Sequence, residues 1–406
     1  MPMRRLRILQ VFNRYIHYGG EEASVFRIGD TLQERHQVEY FFGSTEEFMG
    51  PGLGRRLTAP LRAFHDSAVA AKLRRYQELG KFDLWQIHNV IPGLSPSVYE
   101  TAFRLKVPVV HFLHNYRFGC VNGLFLNHGQ PCQRCIGGNF WPAFQTACWR
   151  DSRLISGWQA LILLELRRRN LFRKVQSWIA LSESQKALHI KMGFPEAKIS
   201  VVPHFYEAPE TPPASSPHGP ALFLSRLSPE KGGQELLEAW AKISPTGREL
   251  WIAGTGPQES SLRKQAASLR NVRFLGFLSR EQQNKVWADC AFAVIPSIVP
   301  ETFGMIVLEA WARQRPVIVH RIGALAETVE DGITGLVVDP GKPELLAGAI
   351  ENLGRHPGKI QDMGMAGWKK LHASFGKSRW SDRMNFLYEK VLAGEDPDSA
   401  AARTVR

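Results

Sequence analysis

The stretch Asp289-Cys290-Ala291-Phe292-Ala293-Val294-Ile295-Pro296-Ser297 is an apolar run of strand length, closed by Pro and Ser. Two residues later comes Pro300-Glu301-Thr302-Phe303-Gly304-Met305-Ile306-Val307-Leu308-Glu309-Ala310, which reads as a turn entering a helix. A buried strand that feeds a helix is half of a βαβ unit, so the local reading is a parallel α/β sheet. Two carboxylates eight residues apart bracket the junction. With a helix predicted to start near Phe303, the first amides, at Gly304 and Met305, have no intrahelical partner and form an anion seat. Gly304 lets a ligand come close, and Glu309, about two turns on, is placed for sugar or ribose hydroxyls.

A second stretch has the same grammar. Phe223-Leu224-Ser225-Arg226-Leu227-Ser228-Pro229-Glu230-Lys231-Gly232-Gly233 runs from an apolar strand into a loop with a fixed cation on each side of a turn. Arg226 and Lys231 together with the amide seat make a diphosphate site. With its E-x7-E pair and R-x4-K-G loop, the chain resembles family 4 of the retaining, nucleotide-sugar-dependent glycosyltransferases. Trp251-Ile252-Ala253-Gly254-Thr255-Gly256-Pro257, Val272-Arg273-Phe274-Leu275-Gly276-Phe277 and Asp331-Gly332-Ile333-Thr334-Gly335-Leu336-Val337-Val338 fit the same pattern. The resemblance covers roughly residues 5 to 392.

It implies the GT-B fold, α/β with two Rossmann-like domains facing a cleft and a C-terminal helix crossing back to the first domain. The activity implied is a front-face, retaining transfer in which the leaving phosphate assists deprotonation of the acceptor. Glu301 then contacts the donor sugar and Glu309 the ribose, Arg226 and Lys231 hold the leaving diphosphate, and no catalytic metal is required. His114, at the end of the apolar run Val107–His114, stands where the family carries a histidine facing the transferred sugar.

At 406 residues and 44% apolar, the chain is long enough for two cores. Residues 1–202 read as a first, acceptor domain, 203–220 as a Pro/Ser/Glu/Gly linker, 221–377 as the nucleotide-sugar domain, 378–393 as the crossover helix, and 394–406 as a disordered tail. The first domain opens with a short strand ahead of Tyr18-Gly19-Gly20-Glu21-Glu22-Ala23, where Gly19 and Gly20 are placed for donor or acceptor contact. Buried strands are also predicted at 82–88 and 178–182. No run reaches the roughly 18–20 apolar residues of a membrane span, and no signal-peptide core is visible, so a cytoplasmic location is expected.

Cys120, Cys132, Cys135 and Cys148 fall within 29 residues. A central C-x2-C and a total of four fit either a tetrahedral structural zinc site or free buried thiols. Ten of the thirteen excess positive charges lie in residues 54–75 and 150–174, each net +5. Interleaved with Phe64, Trp158, Leu161 and Ile162, they read as a face for an anionic membrane, held peripherally from the inner side; a solvated basic face, or one meeting an acidic acceptor, is the alternative. No nucleic-acid motif accompanies the charge.

The functional expectation is a hexosyltransferase moving sugar from a UDP- or GDP-sugar to a lipid-linked or polysaccharide acceptor in bacterial surface-glycan synthesis. A nucleotide-sugar 2-epimerase of the same fold and a catalytically silent sugar-nucleotide-binding protein are the competitors. The complete Arg226, Lys231, Glu301 and Glu309 set argues against silence.

Overall fold

A computed structural model describes residues 4–15, 19–49, 53–91, 93–243 and 247–394, without the side chains of residues 47, 49 and 53–57. Apart from Gly394, the predicted tail lies outside the described residues, as do Tyr18 and the side chains of Arg55 and Arg56.

Fourteen strands are described: β1 Arg7–Arg14, β2 Gln37–Ser44, β3 Leu84–Asn89, β4 Val109–Phe112, β5 Leu126–Asn127, β6 Gln130–Pro131, β7 Ser177–Ala180, β8 Ile199–Val201, β9 Ala221–Leu224, β10 Leu250–Ala253, β11 Val272–Gly276, β12 Phe292–Ile295, β13 Val317–His320 and β14 Gly335–Val338. They make two six-stranded parallel sheets, ordered β2-β1-β3-β4-β7-β8 and β11-β10-β9-β12-β13-β14, and one small β5-β6 hairpin. The central strands β3, β4, β12 and β13 are buried along their whole length, because helical crossovers cover both faces of a parallel sheet. Each sheet reverses its winding once, at β1/β3 and at β9/β12. Ligands in such sheets lie beyond the carboxyl ends of the strands at these points.

The two sheets are not independent bodies. One apolar cluster joins Leu181 and Phe205 from the first half to Phe303 and Val307 from the second, with Trp380 and Tyr388 packed on it. Residues 202–220 form neither helix nor strand. The helix Lys377–Ala393 returns to the first sheet, where Tyr388 Oη donates to Gln86 Oε1 and Asn385 Oδ1 meets His36 Nε2 at 2.9 Å. Arg35 and Asp382 add an exposed ion pair at 3.8 Å.

Candidate active site

After β9 the chain turns through Arg226 into a 3-10 turn, Pro229–Lys231, ended by Gly232 in the left-handed region at φ +72°. A Cβ at Gly232 would lie 1.8 Å from the Pro296 carbonyl oxygen, so the Lys231 loop presses directly onto the loop that follows β12. The Ile298 amide donates to the Glu230 carbonyl at 3.0 Å and closes that contact. The two motifs read separately in the sequence are therefore one structure. Lys231 Nζ lies 2.5 Å from Glu301 Oε1, and Ser297 Oγ donates to the same oxygen at 2.7 Å. Arg226 is 63% exposed; its Nη2 pairs with Glu230 Oε1 at 2.6 Å and its Nε donates to Ser228 Oγ at 3.2 Å. Burial alone would raise the Glu230 carboxyl, but Ser228 and Arg226 hold it below its ordinary value.

The helix after the Glu301 turn is Met305–Trp311, so its start falls two residues later than the predicted Phe303. Gly304 adopts φ +87°, which a right-handed helix cannot contain, and the coil begins only beyond it. Phe303 is 3% exposed and packs on His204 and Phe375, with ring centroids 5.5 and 5.9 Å away. Phe303 thus packs beneath the turn while also standing in the lining of the cleft described next. Gly323 approaches so closely that a Cβ there would lie 2.8 Å from both N and O of Glu301, which holds the turn from beneath.

A cleft of about 360 Å³ is lined by Arg226, Lys231, Ser297 and Glu301 through Ile306 on one side, and by Gly20, Glu21, Ser24, His114 and His204 on the other. Gly19 and Glu309 lie outside that lining. Gly19 is the extended N-cap of the helix Gly20–Gln33, with φ −145°, and a Cβ on either glycine would meet nothing within 4 Å among the described residues. Glu309 sits on the helix flank, its carboxyl pushed up by burial and drawn down by Arg313 and Arg27.

His114 follows β4 at the bottom of the cleft. Its Nε2 lies 2.8 Å from His88 Nδ1, and His88 Nε2 lies 2.8 Å from Gln10 Oε1. Gln86 Nε2 lies 3.2 Å from the same His88 nitrogen, so a donor and an acceptor side chain both meet it. Burial lowers His114 to about 3, so the ring is neutral, and it stacks 5.9 Å from both Phe112 and His204. The backbone of this segment also touches the Glu301 turn, through Thr302 Oγ1 donating to the His114 carbonyl at 3.4 Å.

Sequence reasoning passed over Glu21, Asn115 and Arg117, which gather beside His114. Glu21 Oε2 accepts from Tyr15 Oη at 3.1 Å and from Asn115 Nδ2 at 3.4 Å. The available signal was their adjacency to Gly20 and His114, each directly or nearly next to a residue already singled out.

The four cysteines lie in one loop region around the β5-β6 hairpin, all as free thiols. Cys120 Sγ donates to Asn122 Oδ1 at 3.0 Å, Asn122 Nδ2 donates to Cys148 Sγ at 3.3 Å, and Arg134 Nε to Cys132 Sγ at 3.4 Å. Burial, then the neighbouring Cys120, pushes Cys135 up to about 11 and Cys148 to about 12. Among the described residues no group of three or more His, Cys, Asp or Glu could hold a metal ion. The zinc alternative is therefore unsupported by the described residues.

Two facing Rossmann-like domains around such a cleft define the GT-B fold. Residues 18–208 match the model of Glycosyltransferase Family 4, and residues 220–356 that of Glycosyl transferases group 1. The chain belongs to this glycosyltransferase family. It is 30% identical to the α-D-kanosaminyltransferase of Streptomyces kanamyceticus over 175 residues, 42% of this chain and 45% of that one. It is 34% identical to the glycogen synthase of Mycobacterium tuberculosis over 188 residues, 44% and 45% of the two chains. These alignments span less than half the length of either relative. In structure it is similar to Anabaena HepE solved with UDP and glucose (TM-score 0.68, 18% identity, 94% of this chain and 98% of that one). Sucrose-phosphate synthase from Thermosynechococcus elongatus is similarly close (TM-score 0.69, 18% identity, 96% and 100%). At these identities the likeness concerns the fold.

Proposed function

We propose that the protein is a retaining hexosyltransferase that moves a sugar from a UDP- or GDP-sugar to a lipid-linked or polysaccharide acceptor in bacterial surface-glycan synthesis. One observation carries this reading: Arg226, Lys231 and the Glu301–Met305 turn line the same 360 Å³ cleft as His114. Bond cleavage leaves negative charge on the diphosphate. Lys231 and Arg226, each set in place by a carboxylate, meet that charge without reorganising, and the unpaired amides before Val307 add to it. Glu301 turns to the hydroxyls of the sugar once Lys231 engages phosphate, Glu309 takes the ribose, and neutral His114 meets a sugar hydroxyl from the opposite wall. The leaving phosphate receives the acceptor proton, and no metal takes part. That HepE has been solved with UDP and glucose supports a nucleotide-sugar donor.

The acceptor reading rests on the first domain. The helices Leu53–Phe64 and Arg153–Arg168 meet through Phe64 and Trp158, edge to face at 4.8 Å. They leave Leu61, Leu154, Leu161 and Leu164 exposed, with Trp141 nearby in sequence to the second helix. Arg150, Arg153, Arg173 and Lys174 are also exposed. An apolar and cationic face of this kind suits an anionic bilayer. Arg167 is not part of it: its guanidinium lies 5.5 and 5.4 Å from the Phe140 and Phe172 rings. Arg168 and Arg169 both pair with Glu165. No described helix is long and apolar enough to cross a membrane. We place the protein in the cytoplasm, peripheral on the inner face.

The test is nucleotide release from a panel of UDP- and GDP-sugars, with and without membrane lipid. Release that rises with a lipid or glycan acceptor supports the proposal; conversion of the donor to an epimer, or binding without release, refutes it.

A further inference from the structure

Glu21 is a carboxylate in the cleft wall that nothing in the donor chemistry uses. It opens the helix Gly20–Gln33 just beyond β1, at the switch point of the first sheet. One oxygen is occupied by Tyr15 and Asn115, whereas Oε1 is buried and has no hydrogen-bond partner among the described residues. A buried, unsatisfied carboxylate oxygen is costly, and in a native site it points to an absent ligand. Beside it stands Arg117, whose buried Nε is also without a partner and whose guanidinium lies 6.0 Å from the Tyr15 ring. Tyr15 in turn accepts a 2.6 Å bond from Asn89 Nδ2, fixing the cluster to the end of β3.

An orphaned acceptor and an orphaned donor side by side match the two faces of a neighbouring pair of hydroxyls, one donating and the other accepting. Resting on the transferase reading above, we propose that Glu21 and Arg117 hold a hydroxyl pair of a neutral sugar acceptor, so that the group glycosylated is a sugar hydroxyl and not a lipid phosphate. The placement fits the transfer, because Glu21 and His114 line the same wall across from the Lys231–Glu301 pair. With Glu21 ionised, its charge and that of Arg117 balance, so the pair matches a neutral hydroxyl pair better than a phosphate. Burial, opposed by Arg117, Tyr15 and Asn115, sets the carboxyl near 7, so it is ionised in mildly alkaline buffer.

The experiment uses the whole chain at about pH 8, with methyl glycosides as neutral acceptors and undecaprenyl phosphate in detergent as the anionic one. Binding of UDP and GDP is measured in parallel. Expected is transfer to at least one methyl glycoside and none to undecaprenyl phosphate. Glu21→Gln should raise the glycoside KM by about tenfold or more, as for loss of a charged hydrogen bond, while nucleotide Kd stays within about twofold. Arg117→Gln should do the same, and Glu21→Asp should recover part of the loss. A Glu21→Gln protein with wild-type glycoside KM overturns the inference. So does use of undecaprenyl phosphate, or a nucleotide-binding wild type that neither binds nor glycosylates any methyl glycoside. A wild type that binds neither nucleotide sinks the transferase reading and this inference with it, and the parallel binding measurement identifies that case.

Discussion

Replacing Glu301 by Gln separates the two roles that its pairing with Lys231 superimposes. Lys231 and Glu301 are in contact at 2.5 Å with side chains 29% and 18% exposed, so a donor diphosphate must draw Lys231 away from that carboxylate. A partly exposed pair of this kind is worth about 1 kcal/mol after allowance for solvent screening. Removing the carboxylate charge frees the lysine, and UDP or GDP should bind up to about fivefold more tightly in Glu301→Gln. Turnover should nevertheless fall, because the sugar loses a charged acceptor and one of its two oxygens becomes a donor. Lys231→Ala should do the reverse on binding, weakening nucleotide and lowering kcat by on the order of 10²–10³, the scale for loss of one preorganised charge stabiliser. Titration calorimetry with both nucleotides and a nucleotide-release assay decide the matter. The reasoning is refuted if Glu301→Gln weakens nucleotide binding as much as Lys231→Ala does, or if well-folded Lys231→Ala turns over like wild type.

His114→Ala should lower kcat by roughly tenfold or more with nucleotide affinity retained; because burial keeps this ring neutral, the wild-type pH–rate profile should lack a step from it near 6.5. Gly232→Ala forces a Cβ to 1.8 Å from a carbonyl oxygen at positive φ and should cost about 1–3 kcal/mol in thermal unfolding, with loss of nucleotide binding. Wild type should cosediment with anionic vesicles in a salt-sensitive manner, and Leu161→Gln with Leu164→Gln should weaken that by removing about 1.5–3 kcal/mol of insertion per leucine; unchanged cosedimentation would exclude this face. Glu21 has its folded value raised, from the usual 4.5 to about 7, so its contribution to stability is present below about 4.5 and lost as pH rises through about 7. Glu21→Gln lacks that loss, and its melting temperature should pull ahead of wild type over this interval; parallel curves would contradict the buried placement of the carboxyl.

The sheets were legible because parallel strands buried on both faces must be continuous apolar runs, and 289–297 and 221–224 are such runs ended by turn residues. The partnership of the two loops could be seen only as a family pattern. Its physical cause is the Gly232–Pro296 contact, which joins residues 64 positions apart and leaves no trace in either local stretch. The helix start was misplaced for a related reason: only the backbone angle at Gly304 reveals that the coil begins at Met305.

Composition and spacing determined that this chain makes two parallel α/β domains and that one of them carries fixed cations beside paired carboxylates. Local patterns of apolar residues and turn formers suffice for that, because strand and helix periodicities are properties of neighbours in sequence. Which charges are available was decided by tertiary packing. Arg167, Arg168 and Arg169 are identical in sequence terms, yet one is drawn over two aromatic rings and two are held by Glu165. Of four cysteines spaced like ligands, Cys120, Cys148 and Cys132 became thiols hydrogen-bonded to Asn122 or Arg134. Glu21, one acidic residue among many, became a desolvated carboxylate in the cleft because the ends of β1, β3 and β4 converge around it, and desolvation depends on what surrounds a group in space, not on what flanks it in the chain.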